Sequence, residues 1–154
     1  MIVNATDLPV SADLERGFGD APDTVAETVR LAADAGLVGC TIEDTIGNRD
    51  SPLYDFSLAV ERIAAGAQAA RALGFSFILT ARAHNLMYAN PSLGETVNRL
   101  QAFERAGAVP FAPGLPDLDA VHAVCSALSK PVNFMVGLKE KSFSVAELAG
   151  AYLW

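Results

Sequence analysis

A chain of 154 residues is long enough for one domain with a sizeable core, and 51% hydrophobic against 19% charged residues excludes a disordered segment. The formal net charge of -7 excludes a general attraction for nucleic acid or an anionic membrane surface, although a cation and local arginines can reverse the field at one site. No apolar run is long enough to span a bilayer and no secretory leader follows Met1, so the expectation is a cytoplasmic protein whose two cysteines, Cys40 and Cys125, are buried thiols rather than a disulfide framework or a zinc set.

Residues 2–6 are short and readable as the tail of a helix, and Asp7-Leu8-Pro9 breaks whatever precedes it. Val10 to Asp13 reads as a short strand running into Leu14-Glu15-Arg16-Gly17-Phe18-Gly19-Asp20. Alternate side chains of a strand share a face, so Asp13 and Glu15 can point the same way. Two carboxylates held together repel unless a hard cation sits near them. Solvated turn acids are the other reading of this stretch. Asp20-Ala21-Pro22-Asp23 signals a helix start, with Val25, Val29, Leu31, Ala32 and Ala35 as its apolar stripe and Gly36 as its C′ glycine.

Leu37 to Ile42 is a buried strand ending in Glu43-Asp44, and a polar loop follows from Thr45 to Asp55. Ser57 to Leu73 is an alanine-rich helix closed by Gly74. Phe75 to Thr80 is the next strand and runs into Ala81-Arg82-Ala83-His84-Asn85. Beyond Asn90-Pro91 the pattern predicts a helix from Leu93 to Ala106, closed by Gly107. Val109 to Ala112 is a short strand, Asp117 to Leu128 a helix, and Val132 to Val136 a fifth strand. Gly137 to Ser142 is a loop, and Ser144 opens a last helix with Glu147 in a capping-box position.

Strand and helix thus alternate at roughly the thirty-residue spacing of βαβ units, which implies a parallel sheet. The strands are continuous apolar runs, as expected when both faces are covered. Polar residues gather at their C-terminal ends: Asp13 and Glu15, Glu43 and Asp44, Arg82 and His84, and Asn133. That edge carries the sites of β/α barrels and of doubly wound sheets. A closed barrel needs eight strands, so about five parallel strands alternating with helices predict part of a (β/α)8 TIM-type barrel. No Gly-x-Gly-x-x-Gly opens a helix after the first strand, and no Walker sequence is present, which weighs against nucleotide-binding folds.

Five segments occur in order and at suitable spacing: Ala12-Asp13-Leu14-Glu15-Arg16-Gly17-Phe18-Gly19, Gly39-Cys40-Thr41-Ile42-Glu43-Asp44-Thr45, Leu79-Thr80-Ala81-Arg82-Ala83, Phe111-Ala112-Pro113-Gly114 and Lys130-Pro131-Val132-Asn133. Together they closely resemble the isocitrate lyase/phosphoenolpyruvate mutase superfamily, and more nearly its phosphoenolpyruvate-mutase-like branch, often labelled carboxyvinyl-carboxyphosphonate phosphorylmutase or 2-methylisocitrate lyase-like. The resemblance implies a β/α barrel with a Mg²⁺ site for a small α-keto or α-hydroxy acid. It implies cleavage or formation of C–C or P–C bonds beside a carboxylate, through an enolate-like intermediate. Carried onto this chain, Asp13 is the direct metal ligand, and Glu15 and Glu43 hold metal-bound waters. Arg82 binds the substrate carboxylate and stabilises the intermediate, and Asn133 is a candidate substrate contact. Mg²⁺ takes oxygen ligands and keeps several waters, so such a set of acids is chemically coherent.

Each residue also has a structural reading. Glu43 beside Asp44 can be the acidic start of a loop. Arg82 can be an ion pair with Glu43 or Asp13. Asn133 can be a strand residue bonded to backbone, with Asn85 a weaker candidate still. His84 reads as a loop or partner-binding residue rather than a general base, and it departs from the acidic or polar residue the family more often has there. Arg49 and Asp50 fall where the resemblance places a gating loop, and solvated charges are their default. The Thr45 to Asp55 loop lacks the cysteine of the Lys-Lys-Cys-Gly-His type used by the lyases, so thiol-dependent isocitrate or methylisocitrate cleavage is disfavoured.

The chain begins where the third strand of such a barrel would start and stops after the seventh, with no counterpart of the first two strands or the eighth. The expectation is a single incomplete barrel domain over residues 1–154 with two sheet edges and apolar surface exposed. A homo-oligomer is one way to cover them. A catalytically inactive remnant acting only by association with a partner subunit is the second functional reading. A Schiff-base aldolase is a third, disfavoured because Lys130, Lys139 and Lys141 stand outside the strands.

Overall fold

Strands and helices alternate as the apolar runs predict. The structure is a computed structural model that describes residues 2–47, 52–88, 92–135 and 143–151. The elements are β1 (Ser11–Asp13), α1 (Pro22–Asp34), β2 (Gly39–Glu43), α2 (Phe56–Arg71), β3 (Ile78–Arg82), α3 (Leu93–Ala106), β4 (Val109–Phe111), α4 (Leu118–Ser126) and α5 (Val145–Ala151). Single 3-10 turns stand at Ile2–Ala5, where a helix tail was expected, and at Asn85–Met87. The strands form one parallel sheet in the order β1-β2-β3-β4. Each crossover is made by a helix, the connection that parallel neighbours require.

The fifth strand shortens to one residue among those described. Asn133 forms a parallel bridge to Phe111 and its N–H donates to the Pro110 carbonyl at 2.9 Å. Pro131, just ahead of it, has no N–H for a ladder. Val136, the Gly137 to Ser142 loop, Lys139, Lys141, Arg49, Asp50 and the Asn90-Pro91 turn lie outside the described residues. β3 also begins three residues later than predicted. Phe75 and Phe77 pack edge to face at the surface, 6.3 Å between ring centres, instead of joining the ladder.

Helix ends follow their local chemistry. Ser92 accepts from the Glu95 N–H and Asp117 from the Ala120 N–H, so α3 and α4 each start on a side-chain cap. Ser144 and Glu147 exchange hydrogen bonds in the expected box at the start of α5. α3 ends at Gly107, whose φ of 118° belongs to the left-handed region that a side chain disfavours.

The helices bury one face of the sheet. Cys40, Ile42, Leu79 and Ala81 form a core with Val25 and Val29 of α1, Ile63 and Ala67 of α2, and Leu100 and Phe103 of α3. Gly66 lets α2 sit close: a Cβ there would lie 3.1 Å from both Leu79 and Val25. The other face, expected to be covered as well, is covered only in part: Gly39, Thr80 and Phe111 on it are buried. Ser11, Asp13, Ile78 and Asn133 on it are exposed. Cys40 is fully buried on the helix side, whereas Cys125 of α4 is only half-buried. No described helix is long and apolar enough to cross a membrane.

Candidate active site at the strand ends

Strand register builds the site. The ladder pairs Asp13 with Thr41, Thr41 with Thr80, and Thr80 with Val109. Two residues further along it pairs Glu43 with Arg82 and Arg82 with Phe111, and Phe111 bridges to Asn133. Side chains at paired positions of a parallel sheet share a face, and residues two apart on one strand do so too. Asp13, Thr41, Glu43, Arg82, Phe111 and Asn133 therefore stand on the face away from the helices, at its C-terminal edge.

Arg82 is the centre of this group. Its Nη1 forms an ion pair with Asp13 Oδ2 and lies 3.8 Å from Glu43 Oε2. Its guanidinium carbon is 5.3 Å from the centre of the Phe111 ring. Asp13 Oδ1 accepts from the Thr41 hydroxyl at 2.9 Å and the Glu15 N–H at 3.0 Å. Burial alone would push the Asp13 carboxyl up, but the Glu15 N–H, Thr41 and Arg82 together hold it below its ordinary value. Glu43 Oε1 accepts from the Thr45 hydroxyl at 2.5 Å, and its Oε2 lies 3.4 Å from His84 Nε2. Burial draws the His84 imidazole pKa down, against Glu43, which draws it up. Arg82 Nε and His84 Nε2 are buried and have no hydrogen-bond partner among the described residues. Tyr88 stands close by, its phenol pushed up by burial and by Glu43 and Asp44.

The sequence-predicted residues separate at this point. Asp13, Glu43 and Arg82 come together. Asn133 closes the same row, and its backbone N–H bonds to the Pro110 carbonyl. Glu15 does not share the Asp13 face by strand alternation, because β1 ends at Asp13 and Glu15 takes a left-handed φ of 51°. The Glu15 side chain is exposed while its carbonyl accepts from the Glu43 N–H at 2.8 Å. Asn85 is structural: it is buried, donates to the Ser92 carbonyl and accepts from Thr96. Among the described residues, no three His, Cys, Asp or Glu side chains converge as a metal cluster. Cys40 points to the helix side, and burial pushes its thiol up to about 12, which leaves it no nucleophilic role.

Two buried arginines behind the site escaped the sequence reading. Arg99 of α3 pairs with Asp44 at 3.1 Å and reaches Glu95 and the Tyr54 carbonyl. Asp44 in turn accepts from the His84 N–H at 2.9 Å, and burial pushes its carboxyl up to about 6. Arg62 of α2 donates to the carbonyls of Arg16, Gly19 and Asp20, and its guanidinium lies 4.2 Å from the Tyr54 ring centre. The Tyr54 hydroxyl donates to Asp20 at 2.6 Å, and Arg16 donates to the Ile46 carbonyl at 2.8 Å. These bonds tie the turn after β1 to both ends of the β2–α2 connection. A sequence signal existed: each arginine stands on the apolar stripe of its helix, where an unpaired charge is rare.

A sequence profile of phosphoenolpyruvate phosphomutase matches residues 1–151. The chain is 29% identical to an oxaloacetate decarboxylase of Pseudomonas entomophila strain L48 over 131 residues, which is 81% of this chain and 43% of that one. It is similar to a candidate lyase/mutase from Burkholderia cenocepacia J2315, at TM-score 0.95 and 53% identity, over 97% of this chain and 54% of that one. It is also similar to a phosphonopyruvate hydrolase solved with oxalate and Mg²⁺, at TM-score 0.74 and 26% identity, over 85% of this chain and 47% of that one. The chain spans about half the length of these proteins. Its four parallel strands are consecutive staves of a β/α barrel. The chain belongs to the phosphoenolpyruvate phosphomutase family, within the isocitrate lyase/phosphoenolpyruvate mutase superfamily that its strand-end motifs resemble.

Proposed function

We propose that the chain carries the centre of a Mg²⁺-dependent lyase or phosphonomutase-type site for a small α-keto or α-hydroxy carboxylic acid, working through an enolate-like intermediate. The observation that carries this reading is the convergence of Asp13 and Glu43 on the Arg82 guanidinium at the C-terminal edge of the sheet. The residues fit a hard divalent ion in kind: two carboxylates offer only oxygen, share one face and are already drawn to one positive charge. Arg82 Nε has no acceptor among the described residues, and a substrate carboxylate would supply one. The related phosphonopyruvate hydrolase holds Mg²⁺ and oxalate, and the related decarboxylase is named for an α-keto acid.

In this reading Asp13 would ligate the ion and Glu43 would hold its waters, and Glu15 would join them only from the turn after β1, since it does not share the Asp13 face by strand alternation. When bound, the ion supplies positive charge beside the oxygen on which negative charge develops. Arg82 binds the substrate carboxylate and opposes the same developing charge from the protein side. The Phe111 ring supports its guanidinium and keeps water from one side of it. The Thr45 hydroxyl donates to Glu43 Oε1 and so fixes that side of the carboxylate. Asn133 stands at the end of the row for a further hydrogen bond to substrate.

The second reading, an inactive chain that associates with a partner subunit, draws on the open sheet face and on the absence of a three-acid cluster among the described residues. Calorimetric titration of Mg²⁺ with oxalate, an enolate mimic, separates the two. Binding is expected for the native chain, and Asp13→Asn is expected to weaken it at least about tenfold. Absence of heat from the native chain sinks the active-site reading. Unchanged binding by Asp13→Asn sinks the metal assignment.

A further inference from the structure

We propose that His84 is a positioning residue for Glu43, its Nε2–H donating to Glu43 Oε2 and fixing how that carboxylate faces the open side of the sheet. The geometry leaves few alternatives for either partner. The His84 side chain is 12% exposed, and its Nε2 is buried with no hydrogen-bond partner among the described residues, 3.4 Å from Glu43 Oε2. An N–H buried without an acceptor is costly, so it closes on the acceptor within reach. Thr45 already fixes the other carboxylate oxygen, Oε1, at 2.5 Å. The orientation of Glu43 is therefore decided at Oε2, where His84 is nearer than Arg82 at 3.8 Å.

The base of the imidazole is held as well. The His84 N–H donates to Asp44 Oδ1 at 2.9 Å, and its carbonyl accepts from the Met87 N–H at 2.9 Å. Asp44 is itself locked to Arg99. A line of contacts thus runs from the buried ion pair through the His84 backbone to the ring and on to Glu43. Its functional content is a division of labour. A donor that stays on Glu43 leaves the Arg82 guanidinium available to an incoming carboxylate. Without it, Arg82 is the cation nearest Glu43 Oε2 among the described residues, and it is already paired with Asp13.

The inference rests on the proposed site only for its effect on ligand binding; the contact itself is tested separately. The chain has two histidines, so a His122→Gln variant leaves one imidazole to observe by long-range ¹H–¹⁵N spectroscopy. The expected result is a ring protonated at Nε2 whose Nε2 signal shifts in Glu43→Gln. A ring protonated at Nδ1 alone, or an Nε2 signal that ignores Glu43→Gln, overturns the proposal whether or not oxalate binds. In calorimetry with Mg²⁺ and oxalate, His84→Leu is expected to lose roughly tenfold in affinity, while His84→Gln, which can still donate, keeps most of it. Equal binding by native protein and His84→Leu overturns the proposal, whereas failure of the native chain to bind overturns the functional reading and leaves the spectrum to decide the contact.

Discussion

Replacing Arg99 by methionine is expected to remove about 3–5 kcal/mol of folding stability at neutral pH, the usual cost of stripping one partner from a buried ion pair. Both members are deeply buried, with side-chain exposures of 6% and 1%, so neither is screened by water. Among the described residues Arg99 is the cation bonded to Asp44, and the His84 N–H also donates to it. The loss should depend on pH, with a sign that follows from the Asp44 carboxyl. Burial raises it from 3.8 to about 6, so between those values the native state holds a proton that the unfolded chain has released. The contribution of this group therefore falls as pH rises through that window. Without Arg99 the carboxyl is raised further and the window extends upward. Urea denaturation of both proteins should show the deficit largest above about pH 7 and shrinking toward about pH 5. A deficit that stays constant across that range would show that the stranded Asp44 charge is not its source.

Arg62→Met should cost about 3 kcal/mol or more, because three carbonyls lose their donor at once and water cannot easily replace it. Arg62 is 1% exposed in the middle of α2, and the carbonyls of Arg16, Gly19 and Asp20 converge on it. Methionine keeps much of the volume, so cavity formation adds little and the missing hydrogen bonds dominate. The Asp20 side chain stays largely in water, so no acid is stranded and the deficit should be nearly flat between about pH 5 and pH 8. That contrast with Arg99 makes the pair of variants informative together. The turn that Arg62 holds follows directly on Asp13, so oxalate binding should also weaken. Full stability in Arg62→Met would refute the role assigned to this hub.

Elements whose signals are local were legible in the sequence. α3 runs from Leu93 to Ala106 as predicted, because Ser92, Glu95 and Gly107 define both ends within a few residues. β3 was misplaced at its start because Phe75 and Phe77 have strand propensity but pack on each other outside the ladder. The fifth strand was over-read from an apolar run that makes a one-residue bridge among the described residues. In the site, Asp13, Glu43 and Arg82 were visible as polar residues ending apolar runs, and the sheet register sets them on one face. Glu15 was read by alternation, which fails once the backbone leaves the strand at a positive φ. Arg62 and Arg99 were passed over because a helix stripe was read for its apolar members. Their partners, at Gly19 and Asp44, are more than forty residues away in sequence and close only in the fold.

The two-residue repeat of the strands divides the sheet into two alphabets. Positions 40, 42, 79 and 81 spell the packing beneath the helices, and positions 41, 43, 80 and 82 spell the face turned away from them. The two sets interleave along the chain yet never share a face. A lineage can therefore rewrite its chemistry by point substitution at every second residue without disturbing the core. A single-residue insertion within β2 or β3 would instead exchange the two texts, setting Glu43 or Arg82 against the helices and Ile42 or Ala81 in the open.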